Sequence, residues 1–369
     1  MSCRMRAAIL NTPGTPLEVE DNVTLAPPGP GEVRVKIVAC GVCHSDVSIV
    51  KGLFPIMGPT IPGHEAAGVV LEVGHGVDHV VEGDHVVLTP APSCGHCRAC
   101  RRGRFSHCSL GAGLITSSFP DGSTRLDRNG EVIYRGLGLA GWSEEAVVVG
   151  QAAVPISKEI PLDIACVIGC AVQTGTGAAL NTATIVPGDS VLVVGAGGIG
   201  VSIVAGAATK GAARVIVSDP SESRRERAMA FGATHVVDPT AGNLSEMVGE
   251  IIEGGVDTAF EAVGSADLAQ GCLESTVDGG EVVLVGAAPL DDNLDVNSVA
   301  MMFSGKKLSG CVLGGCWAPR DIPLMVDLWQ SGQLPLESMV TSRRPLAEVN
   351  EAIADSEAGK GLRTVLMMD

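Results

Sequence analysis

The 369-residue sequence predicts an α/β protein: a doubly wound, six-stranded parallel sheet in the second half, inserted in a β-rich unit. Three observations predict it. Apolar, valine-rich runs recur from about residue 176 onward with room for helices between most of them, whereas the first 110 residues alternate such runs with Pro and Gly. The length exceeds what one hydrophobic core usually serves, which favours two parts. Forty-eight glycines against 3% aromatic residues imply many tight turns and aliphatic cores.

In chain order, "EVRVKIVAC" (32–40), "AAGVVLEVG" (66–74) and "GDHVVLT" (83–89) read as strands of the β-rich unit. Residues 117–136, "SSFPDGSTRLDRNGEVIYRG", are polar and turn-rich, and are expected to be a surface excursion with short hairpin strands beside its "DG" and "NG". Buried-type strands then follow near 190, 214, 235, 256, 281 and 308, with a helix expected over 221–232. Beyond 313 come two amphipathic stretches and a last strand, "RTVLMM". The expected division is 1–172 with 313–369 as one domain and 173–312 as the other.

The segment "VLVVGAGGIGVSIVAGAA" (191–208) has the length and apolarity of a membrane span. Its five glycines, four of them at 195–200, argue instead for a strand, a turn and a buried helix. The net charge of −17 excludes a nucleic-acid partner, because phosphate binding needs a cationic surface, and "RACRRGR" (98–104) is too local to reverse that. Residues 1–30 lack the pattern of a secretory signal, so a cytoplasmic protein without membrane attachment is expected. Its twelve cysteines then read as thiols and metal ligands.

"GAGGIG" places Gly195, Gly197 and Gly200, with Gly198 and Ile199 between them, after a strand and before a helix-compatible run, and Asp219 ends the next strand. That context marks a dinucleotide turn. Gly195 permits the tight turn, Gly197 the approach of a pyrophosphate, and Gly200 close helix–sheet packing. Asp219 would accept from ribose hydroxyls and repel a 2′-phosphate, which favours NAD over NADP, although Arg224 nearby could offset that repulsion.

"CGHCRACRRGRFSHC" spaces Cys94, Cys97, Cys100 and Cys108 as C-x2-C-x2-C-x7-C, which suits four thiolates around one structural zinc; an iron–sulfur centre and disulfides are the alternatives. Cys43 in "CGVCHSDVS" (40–48), His64 in "PGHEAAG" and Cys170 in "IGCAVQTG" are further candidates, but spacing alone does not connect them.

These motifs, in this order and at these separations, resemble the zinc-dependent medium-chain alcohol dehydrogenases over essentially the whole chain. The resemblance implies a Rossmann cofactor domain inserted in a GroES-like catalytic domain. It also implies two zinc ions per chain, with Cys43, His64 and Cys170 holding the catalytic one. Asp46 is then expected behind His64, Glu65 near the metal, and Ser45 on the substrate oxygen. His44 and Arg363 are expected at the pyrophosphate, and Thr174, Val263 and Gly286 beside the nicotinamide. Ser48 stands where many relatives end a proton relay in histidine, so here the relay would bridge through water. Pro90, Gly113 and Gly136 replace bulky pocket residues, implying a roomier site. The expected activity is NAD-linked oxidation of fairly bulky primary alcohols to aldehydes. The alternatives are a thiol-adduct (S-hydroxymethyl) formaldehyde dehydrogenase and a non-catalytic dinucleotide-binding protein. A homodimer is expected over a tetramer.

Overall fold

The computed structural model describes residues 2–368. The chain forms two compact units, Met1–Cys170 with Trp317–Asp327 and Leu336–Asp369, and Ala171–Cys316 with Leu328–Pro335. The stretch 328–335, grouped with the first part by sequence, goes with the second.

The first unit is built on a seven-stranded sheet whose central strand is Glu32–Gly41. Alternation explains why it is central: Val33, Val35 and Ile37 point into the core, while Arg34 turns outward to Glu145 at 2.5 Å. It pairs antiparallel with Glu65–Val73, setting Gly41 opposite Glu65, and with Arg363–Met367, setting Gly41 opposite Val365. Three neighbouring strands therefore begin or end at one sheet edge. The segments carrying Cys43, His64 and Arg363 all enter there.

A four-stranded sheet of Cys3–Ile9, Glu18–Leu25, Leu126–Arg128 and Glu131–Val132 completes this unit. Its last two strands form the hairpin expected at "NG", and they correct the reading of 117–136 as a surface excursion. Phe119, Leu126, Ile133 and Arg135 of that segment are all buried. Its polarity misleads because the polar residues sit in the turns while the few apolar ones fill the core.

The second unit holds a six-stranded parallel sheet in the spatial order His235–Val237, Arg214–Ser218, Ser190–Val194, Val256–Glu261, Thr276–Leu284, Lys307–Gly310. The chain adds strands outward in one direction from Ser190–Val194 and then in the other from Val256–Glu261, so the boundary between these two parallel strands is the topological switch point where such sheets take a ligand. The apolar stretch 191–208 divides into strand, glycine turn and the helix Gly198–Thr209. Among the described residues no single helix is long and apolar enough to cross a membrane. The bent pair Leu162–Gly169 and Ala171–Thr182 passes that test on length and composition, and its side chains are nearly all buried within the protein.

Candidate active site

Cys43, His64 and Cys170, scattered in sequence, come together with their ligand atoms within 4.8 Å of one another, all three buried. Each arrives by a different device. Cys43 caps the helix His44–Val50 just past the end of the central strand. His64 immediately precedes the strand Glu65–Val73. Cys170 follows Gly169, where a side chain would collide with the Leu88 carbonyl, so glycine lets this turn close onto the sheet edge.

Asp46 fixes the arrangement. Its buried carboxylate accepts from the Cys43 amide (3.2 Å), the Gly63 amide (2.9 Å) and His64 Nδ1 (3.0 Å). Committing Nδ1 to Asp46 leaves Nε2 as the free ligand atom and sets the tautomer. The charges agree with a cation site. A hydrogen bond from Cys170 holds the Cys43 thiol well below its usual range against the opposing effect of burial, with Arg363 and His64 assisting. Donating that bond, together with burial, pushes Cys170 well up. A divalent cation bound by both sulfurs would displace their protons. Burial disfavours protonation of His64, yet Asp46 and Cys43 outweigh it and hold its pKa well above the usual value. The donor set, two thiols and an oriented imidazole, fits zinc. Asp46→Asn is expected to lower zinc affinity and kcat about 10–100-fold, because its amide NH2 must then face one of three donors. Chelator competition on the purified variant measures this.

Ser45 Oγ lies 4.0 Å from Cys43 Sγ, and Ser45 and Ser48 are both half-buried on one face of the same helix. Glu65 is fully buried and ion-paired with Arg363 at 3.1 Å, and burial raises its carboxyl to about 7 even with that guanidinium beside it. Arg363 is itself buried and donates to the Val42 carbonyl at 3.0 Å. Of the two expected phosphate contacts, only His44 has an exposed side chain; Arg363 is buried, with its guanidinium on Glu65.

Cys94, Cys97, Cys100 and Cys108 also bring their sulfurs within 4.8 Å of one another. Cys97 and Cys108 Sγ are 3.8 Å apart, too far for a disulfide, and all twelve cysteines are free. A tetrahedron of Zn–S bonds of about 2.3 Å spaces its sulfurs by about 3.8 Å. Backbone amides of Cys94, Cys97, Cys100 and Leu110 point at these sulfurs at 3.2 to 3.5 Å, as thiolates require.

In the second unit the three glycines of the turn differ in what packing requires of them. Gly195 has φ +96°, which favours glycine, and faces Val263 across the switch point. Gly200 lies so close to the Gly195 carbonyl that a side chain could not fit. A side chain at Gly197 would meet nothing within 4 Å, so packing within the protein does not require this glycine. Ile199 lies in the first turn of the helix Gly198–Thr209. Asp219 accepts from the Ala196 and Ser221 amides, each at 2.8 Å, with Arg224 at 3.9 Å. It braces the glycine turn. Thr174 Oγ1 is buried without a partner, as a ligand contact would leave it. Gly286 backs directly onto Val263 and Gly264.

Two features were not legible in sequence. Gly136 makes no room: a Cβ there would stand 2.7 Å from the Pro62 Cα, so glycine serves close packing on the segment before His64. Pro90 and Gly113 do line a cavity, but one that also contains Arg135, whose guanidinium stacks 3.7 Å from the Phe119 ring. Nothing in "IYRGLG" marks a buried arginine.

Residues 29–158 match the alcohol dehydrogenase GroES-like domain and residues 198–331 the zinc-binding dehydrogenase domain. S-(hydroxymethyl)glutathione dehydrogenase of Escherichia coli is 36% identical over 98% of this chain and 99% of its own length. Among solved structures, an alcohol dehydrogenase zinc-binding domain protein from Burkholderia ambifaria superposes with a TM-score of 0.95 at 32% identity, covering 100% of both chains. Benzyl alcohol dehydrogenase of Acinetobacter calcoaceticus superposes with a TM-score of 0.94 at 29% identity over the same coverage. With two thiol-rich clusters suited to zinc and a dinucleotide turn on an inserted parallel sheet, the chain belongs to the zinc-dependent medium-chain alcohol dehydrogenases.

Proposed function

We propose that this dehydrogenase oxidises fairly bulky primary alcohols to aldehydes, reversibly, with NAD as hydride acceptor and with Cys43, His64 and Cys170 holding the catalytic zinc. The observation that carries this is the convergence of those three side chains in a buried site oriented by Asp46. Zinc bound there supplies Lewis-acid polarisation of the substrate oxygen, which eases loss of its proton. Ser45 Oγ, beside Cys43, accepts that proton. Ser48 lies three residues further along the helix on the same face and hands it on through water, since a hydroxyl cannot store a proton at neutral pH. Glu65 and Arg363 keep opposite charges buried behind the ligands, and Glu65 is placed to take part when the fourth ligand exchanges.

A panel of short, long, aromatic and thiol-adduct alcohols with NAD and with NADP tests the reading. Absence of nicotinamide reduction by a zinc-loaded protein would sink it. The likeness to S-(hydroxymethyl)glutathione dehydrogenase supports the thiol-adduct alternative, and preference for that substrate would select it. The benzyl alcohol dehydrogenase likeness supports bulky alcohols. Asp219→Asn is expected to raise KM for NAD about tenfold and to narrow the preference over NADP, since the charge that repels a 2′-phosphate is gone and an amide must face a backbone N–H. Initial rates with both cofactors measure it.

We further propose a homodimer. The edge strand Lys307–Gly310 leaves one side of the parallel sheet unpaired, and Met302, Phe303 and Val312 beside it in sequence are exposed. Light scattering should give twice 37.6 kDa, and a tetramer would overturn this. Twelve free thiols suit a reducing compartment, which supports a cytoplasmic location.

A further inference from the structure

Trp142 is the largest of the fully buried side chains among the described residues, and it does not line the cavity that holds Arg135. Its neighbours are the two chain segments that deliver Cys43 and His64. The indole Nε1–H donates to the Gly41 carbonyl at 3.4 Å, two residues before Cys43. The Trp142 amide donates to the Pro62 carbonyl at 3.0 Å and the Gly141 amide to the Gly63 carbonyl at 2.7 Å, so residues 141–142 run along the segment that ends in His64. The Trp142 carbonyl accepts from the Ala8 amide at 2.9 Å, which ties this clamp to the strand Cys3–Ile9.

Two glycines make the fit close. Gly63 has φ +91°, and a Cβ there would stand 2.6 Å from the Trp142 backbone nitrogen and 2.8 Å from the indole Cγ. A Cβ at Gly141 would stand 2.8 Å from Cys40 Sγ and 2.9 Å from the Gly63 carbonyl oxygen. The indole and its neighbour thus fill the gap between residues 40–41 and 62–63 without slack. Asp46 passes this constraint to the ligands: its carboxylate accepts from the Gly63 amide at 2.9 Å, from His64 Nδ1 at 3.0 Å and from the Cys43 amide at 3.2 Å. A shift of Gly63 therefore shifts the carboxylate that orients His64. Cys170 is delivered by another route, Gly169 closing on the Leu88 carbonyl.

We infer that Trp142 is a positioning residue for the catalytic metal, its indole wedged between the Gly41 end of the central strand and the Gly63 turn so that Cys43 and His64 face one ion. This rests on the reading of Cys43, His64 and Cys170 as the zinc ligands and goes beyond it. At 3.4 Å the indole hydrogen bond is a weak one, so the shape of the ring carries more of the effect than its N–H. A tryptophan that merely filled the core would lower stability when truncated and would favour neither metal site. Positioning predicts a loss at one site only.

The test loads the purified full chain with Co²⁺ in place of zinc and follows chelator competition and the cobalt absorption bands in Trp142→Leu and Trp142→Phe. The ion that Cys43→Ala lacks identifies the catalytic site, and the four-cysteine site is the internal reference. Trp142→Leu, which loses the ring, is expected to weaken the catalytic ion about tenfold or more and to shift its bands, with the four-cysteine ion unchanged. Trp142→Phe keeps a ring and loses the N–H, and should weaken it about threefold, the scale of one weak hydrogen bond. With zinc restored, kcat should fall in the same order while KM for NAD holds, since the glycine turn at 195–200 belongs to the other unit. A folded variant that holds the catalytic ion as tightly as the unaltered protein overturns the proposal, as does equal weakening at both sites, which is general loss of packing. Should Trp142→Leu fail to fold, Trp142→Phe decides alone. If the unaltered protein takes up one cobalt per chain, and Cys43→Ala takes up as much, the ligand reading itself has failed and the proposal falls with it.

Discussion

Cys43→Ala is expected to lower kcat/KM for alcohol oxidation by about 10³-fold or more and to reduce the zinc content from two per chain to one. The loss corresponds to about 4 kcal/mol of transition-state stabilisation, which is the scale of Lewis-acid polarisation. The magnitude follows from how the site is built. Removing Cys43 takes away one of two sulfur ligands and leaves Cys170 and His64 as the only protein donors for the metal. The fold should survive, because Cys43 sits at a helix start whose Asp46 cap engages backbone amides and His64 rather than the sulfur. Metal analysis and circular dichroism separate the two effects. A Cys43→Ala protein that retains two zinc ions and full activity would remove Cys43 from the ligand set.

Much of this architecture was legible in the chain because the signals were local. Gly195, Gly197 and Gly200 stand between an apolar strand and an apolar helix, and four closely spaced cysteines can hardly avoid one another. The catalytic ligands were legible only by resemblance. Cys43, His64 and Cys170 lie up to 127 positions apart, and what joins them is sheet register: Gly41 opposite Glu65, and Gly169 closing on Leu88. Neither leaves a pattern in the sequence. Positions with more than one plausible role misled. Gly136 reads as pocket space, yet it is a close backbone contact with Pro62. The buried ion pair of Arg363 with Glu65 likewise left no mark in the sequence. Arg135 sits in a stretch whose average polarity hides its burial, since composition reports the turns and not the side chains beneath them.

The four-cysteine lobe should respond in the opposite sense to Cys43→Ala: Cys100→Ala is expected to cost local stability first and activity second. Structural zinc contributes roughly 10 kcal/mol or more to the order of a small segment. Little else holds residues 94–108. Their helical pieces are single 3₁₀ turns, and the aromatic contribution is one stack of Phe105 on Trp317, centroids 5.5 Å apart, worth about 1 kcal/mol. Without the metal, sulfurs as close as the 3.8 Å between Cys97 and Cys108 must be protonated or move apart. The segment should then open while both main sheets remain folded. Arg98, Arg101, Arg102 and Arg104 are already exposed, so trypsin reports the opening directly: cleavage within 98–104 should accelerate by at least about 100-fold while the rest of the chain resists. Activity should fall less, because none of Cys43, His64 and Cys170 lies in this lobe. Zinc content should again be one per chain, but with the catalytic ion retained. A variant that keeps both ions and resists trypsin would show that the lobe is held by packing and not by metal.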